Sequence, residues 1–246
     1  MLAKRIIPTI LCRGKTAYKG KAFDSTRSVG SALAIARVHA RRGVDELCIL
    51  DIGATAEGRG PDLDMVRQLS AGCFIPITVG GGIRKLRDID DLLRAGADKV
   101  AICTGAIEVP NLIEDAASRF GRQAIVACVD SLEGYAVVRS GRIGYGQQAR
   151  IVAQQMDQRG AGEILLASVK RDGMMGGMDL DLIRDVSASV DIPVIASGGC
   201  GSYEHMREAF KAGADAVAAG AMFAFTDQTP KGAAWFLKNN GLEMRV

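Results

Sequence analysis

The chain carries an internal repeat. GVDELCIL (43–50) returns as GAGEILLA (160–167), DLDMVRQL (62–69) as DLDLIRDV (179–186), IPITVGGGI (75–83) as IPVIASGGC (192–200), and RAGADKV (94–100) as KAGADAV (211–217), every pair offset by 117 residues. A constant offset over so long a span marks a duplicated unit rather than a chance likeness of short segments. Each half alternates short apolar runs with amphipathic stretches. The runs start near residues 5, 45, 76, 98, 124, 162, 193 and 215, and helical patterns fall near 31–42, 62–72, 86–95, 108–119, 147–158, 179–189, 203–212 and 229–239. The runs are continuous Val, Ile, Leu and Ala rather than alternating, as parallel strands buried on both faces require. Eight βα units in two four-unit halves predict a (β/α)8 TIM barrel, one domain over 1–246 with half-barrels at about 1–120 and 121–246. Glycines in RSGRIGYG (139–146), after GYAVV, predict a small β-hairpin inserted after strand 5.

The bulk numbers agree with one large core: 246 residues, 48% hydrophobic. The net charge of +3 is spread without a basic run, which argues against nucleic acid and leaves small anions open. Six cysteines show neither a C-x-x-C pair nor metal-ligand spacing, so a reducing cytoplasm is expected, with no metal and no nucleotide cofactor. The first apolar run is cut by Pro8 and stops at Arg13, unlike a signal peptide, and AVAAGAMFAF (216–225) is about half a membrane span. No membrane association is expected.

Catalytic groups of such barrels sit at the C-terminal ends of strands. In order, those ends are Leu11, Asp51, Gly80–Gly82, Cys103–Thr104, Asp130, Ser168 with Asp172–Gly173, Ser197–Gly199, and Gly220–Ala221. VGGGI and CTGA after strands 3 and 4 match SGGCG and AAGAM after strands 7 and 8. Glycines at a strand end let backbone N–H groups approach an anion, which the following helix N-terminus favours. Either cluster alone is equally well read as a tight turn. Two in matching positions imply a long ligand with a phosphate at each end.

MLAKRII, DELCILDIGA, TVGGGI, GADKV, GAGEILLASVKRDG and IASGGCG resemble the cyclase subunit of imidazole glycerol phosphate synthase, from residue 1 to the last strand. The resemblance implies a heterodimer with a glutaminase, whose ammonia crosses the barrel and attacks N'-(5'-phosphoribulosyl)-formimino-AICAR ribonucleotide. The products are imidazole glycerol phosphate and AICAR. It also implies that Gly82 and Thr104 hold one phosphate, and Gly173, Gly199, Gly220 and Ala221 the other. Lys19 on the first loop, Asp51, Ser168 and Asp172 would face the substrate. Cys103 and Ala221 stand where the family offers polar side chains. Two catalytic aspartates are implied, at the ends of strands 1 and 5. Asp130 supplies the second, but Leu11 falls at the first, and the next acidic residue is Asp24. Losing general acid–base help costs roughly 10²–10⁴-fold. Gly53, Lys170 and Ala167 depart from the family pattern as well.

The opposite barrel face matches the family. Arg5, Glu46, Lys99 and Glu163 stand where it rings the ammonia entrance, and Asp98 where it faces the glutaminase; a plain salt-bridge plug is the alternative. Above them Cys48, Ala101, Ala127 and Leu165 would line an apolar path for neutral ammonia. An intact entrance with one acid missing resembles paralogues in surface-polysaccharide assembly, where barrel and glutaminase-like partner feed ammonia to a third enzyme, an amidotransferase or synthase. The leading expectation is therefore an ammonia-channelling subunit for sugar amidination with weak or absent cyclase activity. A working cyclase of histidine biosynthesis is the alternative, and a phosphosugar isomerase or binding barrel without a partner the third reading. His39 and His205 are expected on helix surfaces, and Trp235 is expected to pack the last helix onto the barrel.

Overall fold

The computed structural model describes residues 3–244; the ends of the predicted span, 1–2 and 245–246, lie outside them. Eight parallel strands close a barrel: β1 (Arg5–Arg13), β4 (Leu47–Asp51), β5 (Ile77–Gly80), β6 (Lys99–Ile102), β7 (Ile125–Leu132), β10 (Glu163–Ser168), β11 (Val194–Ser197) and β12 (Ala216–Ala219). β12 pairs with β1, and β7 with β10, so the sheet returns on itself. The predicted hairpin after the fifth barrel strand is β8 (Tyr135–Val138) and β9 (Ile143–Gln148).

The repeat is legible in the bonds that hold the strands. The Asp98 carboxylate accepts from the Ile77 amide at 2.8 Å, and Asp215, its partner 117 residues on, accepts from Val194 at 3.1 Å. Asp62 caps α2 (Leu63–Ser70) by accepting from the Met65 amide, and Asp179 caps α7 (Leu180–Ser187) through Leu182. Short helices α4 (Thr104–Glu108) and α9 (Ala221–Phe225) follow β6 and β12 at the same offset. The stretch 108–119, expected to be one helix, is divided between α4 and α5 (Leu112–Phe120). Pro110 stops the first and Asn111 takes a left-handed φ of 62° before the second.

Apolar side chains form two layers. The larger fills the space between strands and helices, and a smaller cluster of Ile7, Cys48, Ala101, Val126, Cys128 and Leu165, with neighbours, fills the barrel interior. Ala127 was expected inside; strand alternation instead turns Val126 and Cys128 inward and sends Ala127 to the outer layer. Two helix expectations also fail. His39 is buried with Ala32 and Ala36 on the inner face of α1 (Ala32–Arg41), its ring edge-on to Phe223. Trp235 is 70% exposed, because α10 (Pro230–Asn239) buries Ala233 and Leu237, and position 235 lies on the opposite side.

The loop after β1 is the largest departure. It is a second hairpin, β2 (Thr16–Lys21) and β3 (Asp24–Ser31), turning at Ala22 and Phe23, both with positive φ. Its tip docks on the loop after β10: the Ala22 amide donates to the Asp172 carbonyl at 2.9 Å.

Candidate active site and opposite-face ion ring

The C-terminal ends of the barrel strands surround one cavity. Asp130, Lys19, Asp51 and Asp172 line it, as do both glycine clusters: Gly82 with Thr104 on one side, and Gly173, Gly199, Gly220 and Ala221 on the other. The two clusters thus face each other across a shared space. Gly81 and Gly198 occupy matching places, with φ of 116° and 94°, and a Cβ on either would run into the carbonyl of the preceding barrel strand's end, Asp51 or Ser168. Only glycine brings the backbone this close.

Asp130 points into the cavity near the end of β7. Burial pushes its carboxyl up to about 6; a hydrogen bond from the Cys103 thiol, 3.1 Å from Oδ2, opposes the rise, and the charge of Asp172 adds to it. Burial and the neighbouring Asp130 hold that thiol well above its ordinary range, so it stays protonated. Register fixes what stands opposite. Asp130 pairs with Ala167, and Leu11 with Leu50, the residue 117 positions before Ala167. Leu11 is therefore the pseudo-twofold counterpart of Asp130, and it lines the cavity as a hydrocarbon.

Lys19 is brought into the cavity by the first hairpin. Its Nζ donates to the Thr9 carbonyl at 2.9 Å, and its side chain is buried. Burial lowers its ammonium to about 8, with the charge of Asp172 pulling the other way. Burial raises the Asp172 carboxyl, while Lys19 and the amides of Phe23 and Gly173 lower it. Asp51 and Ser168 are engaged in local structure. Asp51 accepts from the amides of Gly53 and Ala54 and from Arg59 at 2.7 and 3.0 Å, a forked pair that raises the guanidinium pKa. Ser168 donates to the helix-capping Asp179 at 3.1 Å. The Thr104 hydroxyl accepts from the Arg139 amide at 3.0 Å. Lys170 reaches Glu133 on the surface.

Sequence reasoning did not foresee Arg59, whose position in AEGRG carries no spacing signal, nor the thiol contact of Cys103. A strand-end aspartate in need of a counter-charge was the one available cue to Arg59.

At the other barrel face, Arg5, Glu46, Lys99 and Glu163 form a closed cycle. Arg5 meets Glu46 at 3.0 Å and Glu163 at 2.8 Å; Lys99 meets both at 3.0 Å. Burial alone would lower the Arg5 pKa, but the two carboxylates raise it. Buried Thr78, also unforeseen, adds a hydroxyl donor to Glu46. Asp98 is exposed on this face while its carboxylate holds the start of β5. Between ring and cavity lies the inner apolar cluster.

Among the described residues no helix is long and apolar enough to cross a membrane, and no group of three or more His, Cys, Asp or Glu is arranged to hold a metal ion. Residues 5–229 match the family described as histidine biosynthesis protein. The chain is 42% identical to the imidazole glycerol phosphate synthase subunit HisF of Dictyoglomus thermophilum, over 253 aligned positions covering all of both chains. It is 43% identical to the HisF subunit of Campylobacter concisus, over 99% of this chain and 98% of that one. The Clostridium botulinum (strain Okra) HisF subunit matches at 42% over both full lengths. These matches correct the leading expectation of a subunit for polysaccharide amidination. Full-length likeness to HisF subunits outweighs an inference drawn from the single position Leu11, and it favours the cyclase alternative.

Proposed function

The chain belongs to the HisF family of imidazole glycerol phosphate synthase subunits, and on that premise we propose that it is a working cyclase of histidine biosynthesis. It would take N'-(5'-phosphoribulosyl)-formimino-AICAR ribonucleotide and ammonia to imidazole glycerol phosphate and AICAR. The observation that carries this reading is the single cavity in which two matched glycine clusters face each other with Asp130 between them. A substrate with a phosphate at each end fits that arrangement, its anionic ends met by backbone amides and its centre held over the carboxyl.

Asp130 suits a general base. A carboxyl near 6 is ionised at neutral pH yet basic enough to take a proton from a reacting nitrogen. Ammonia would reach it from the opposite face, released by a glutaminase subunit seated over the ring of Arg5, Glu46, Lys99 and Glu163, with Asp98 at the contact. The intervening cluster is apolar, so a path through it would favour neutral ammonia and would cost ammonium its hydration.

The test supplies ammonium salt at alkaline pH with the formimino ribonucleotide and follows AICAR release. Ammonia-dependent turnover without a partner is expected, with glutamine effective only once a glutaminase subunit is added. A chain that binds the ribonucleotide and releases no AICAR at any ammonia concentration rules the reading out.

A further inference from the structure

A carboxyl that is to act as a base from a strand end must be held in one orientation. For Asp130 the means comes from the neighbouring strand. Ile102 of β6 lies beside Ala127 of β7, so one step further on Cys103 and Cys128 are neighbours, and Asp130 stands two residues beyond Cys128 on the same inward side. Cys103 packs against the inner apolar cluster to which Cys128 belongs, and all three residues line the cavity. The Cys103 thiol, 3.1 Å from Oδ2, is the hydrogen-bond donor to the carboxyl, and Oδ1 has no partner among the described residues. We infer that Cys103 is a positioning residue for Asp130: its thiol ties Oδ2 to the end of β6 and leaves Oδ1 as the atom that takes the proton of the reacting nitrogen. The inference rests on the cyclase reading above.

The same turn carries part of the glycine-lined cradle. The chain leaves β6 at Cys103 and enters α4 at Thr104, so the support of the base and the cradle are consecutive residues. The Thr104 hydroxyl accepts from the Arg139 amide at 3.0 Å, and its side chain is hydrogen-bonded in turn to the Cys103 thiol. The hairpin β8–β9, the cradle and the base are thus joined by one chain of hydrogen bonds, each polarising the next.

Sulfur suits the task. A thiol is a weak donor, so it orients the carboxyl while drawing little from its basicity; a hydroxyl or amide in its place would draw more. Burial keeps the thiol protonated. Asp130 therefore takes one proton at Oδ1 and later gives it to solvent, while the proton on sulfur stays where it is. The other charged and titratable groups around Asp130 come from every wall of the cavity: Cys128 from its own strand, Asp172 from the loop after β10, Arg13 and Asp51 from the ends of β1 and β4, Lys19 from the first hairpin and Arg142 from the second.

Native protein, Cys103→Ala and Cys103→Ser are compared in ammonium-driven turnover at constant free ammonia, and the Asp130 carboxyl of each is titrated without substrate by carbon NMR. The native kcat profile should fall on the acid side near pH 6, where that carboxyl titrates. Cys103→Ala removes the donor. Its kcat should drop roughly tenfold with KM within about threefold, and both the acid limb and the carboxyl titration should move up by roughly half a pH unit or more. Cys103→Ser offers a stronger donor of nearly the same shape, so it should keep kcat within about threefold of native and move both down. Loss of packing alone would not move the two variants in opposite directions. Native-like kcat and titration in Cys103→Ala overturn the inference, as do shifts of the same sign in both variants, and either result leaves the cyclase reading standing. A native chain with no ammonia-dependent turnover takes down the cyclase reading itself, while the carboxyl titration still decides whether the thiol holds Asp130.

Discussion

At the scale of single residues, the cavity holds groups that the fold keeps at a cost. Asp130 has a folded pKa near 6 against 3.8 for an ordinary carboxyl, so between those values the folded chain binds more protons than the unfolded one. Stability from this group is therefore greatest in acid and is lost as pH rises through about 6, a difference on the order of 3 kcal/mol. Lys19 works in the other sense: with its folded value depressed to about 8, it opposes folding at neutral pH and ceases to do so in alkali. Asp130→Asn should then raise stability in urea at pH 8 by roughly 1–3 kcal/mol, change it little at pH 4, and cost roughly 10²–10⁴-fold in turnover. Equal stability changes at both pH values would show that Asp130 is not held by burial. Asp130 and its pairing with Leu11 were legible from strand ends and the repeat. The Cys103 contact was not, because a cysteine beside an apolar run reads as a small hydrophobe. His39 was misread because helix position alone does not say which face meets the barrel; Ala32 and Ala36 at helical spacing before it carried that information.

At the scale of elements, the hairpin β2–β3 is what makes this barrel mouth particular. It pairs with itself and with the end of β1, and its docking depends on Gly173, whose φ of 70° and close approach to Gly20 both exclude a side chain. Gly173→Ala should push the hairpin off the Asp172 loop while leaving the barrel folded. Limited proteolysis within residues 14–31 should accelerate even without substrate, KM for the ribonucleotide should rise, and global stability should fall by only about 1–2 kcal/mol. A protease pattern identical to the native one would mean that the latch lies elsewhere. The barrel strands and main helices were legible because continuous apolar runs and 3.6-residue periods are strong signals. This hairpin was not: KTAYKGKAFDSTRSVG is polar, and its turn uses Ala22 and Phe23 where Asn and Gly would announce a two-residue turn with positive φ. Such strain persists where surrounding contacts impose it, and here it lies beside the cavity.

At the scale of the whole molecule, duplication accounts for both ends of the barrel, though differently. The strand-end glycines Gly81 and Gly82 (as Gly198 and Gly199), the capping aspartates and the short helices α4 and α9 recur at 117 residues, which is why the architecture could be read without any side-chain geometry. The ion ring keeps the symmetry only in its acids: Glu46 and Glu163 are repeat partners, whereas Lys99 corresponds to Ala216. Each cation must therefore bridge both acids, and the four contacts close into a neutral cycle. Removing one member breaks two contacts at once and leaves an unbalanced charge at side chains that are only 4–19% exposed. Glu46→Gln should thus cost roughly 3 kcal/mol, the low end for breaking a buried ion pair. Lys99→Met should cost a similar amount for the opposite reason, two carboxylates left to one guanidinium. The double variant restores neutrality around the surviving Arg5–Glu163 pair, so it should be less destabilised than the sum of the two by at least about 1 kcal/mol. Urea unfolding of the four proteins measures that coupling. Simple additivity would mean that the ring is four independent charges, whereas coupling means that it titrates and breaks as a unit. A ring that acts as a unit holds no spare charge to bind ammonium, so on the proposed function neutral ammonia, not ammonium, would be the species to cross the apolar interior above it.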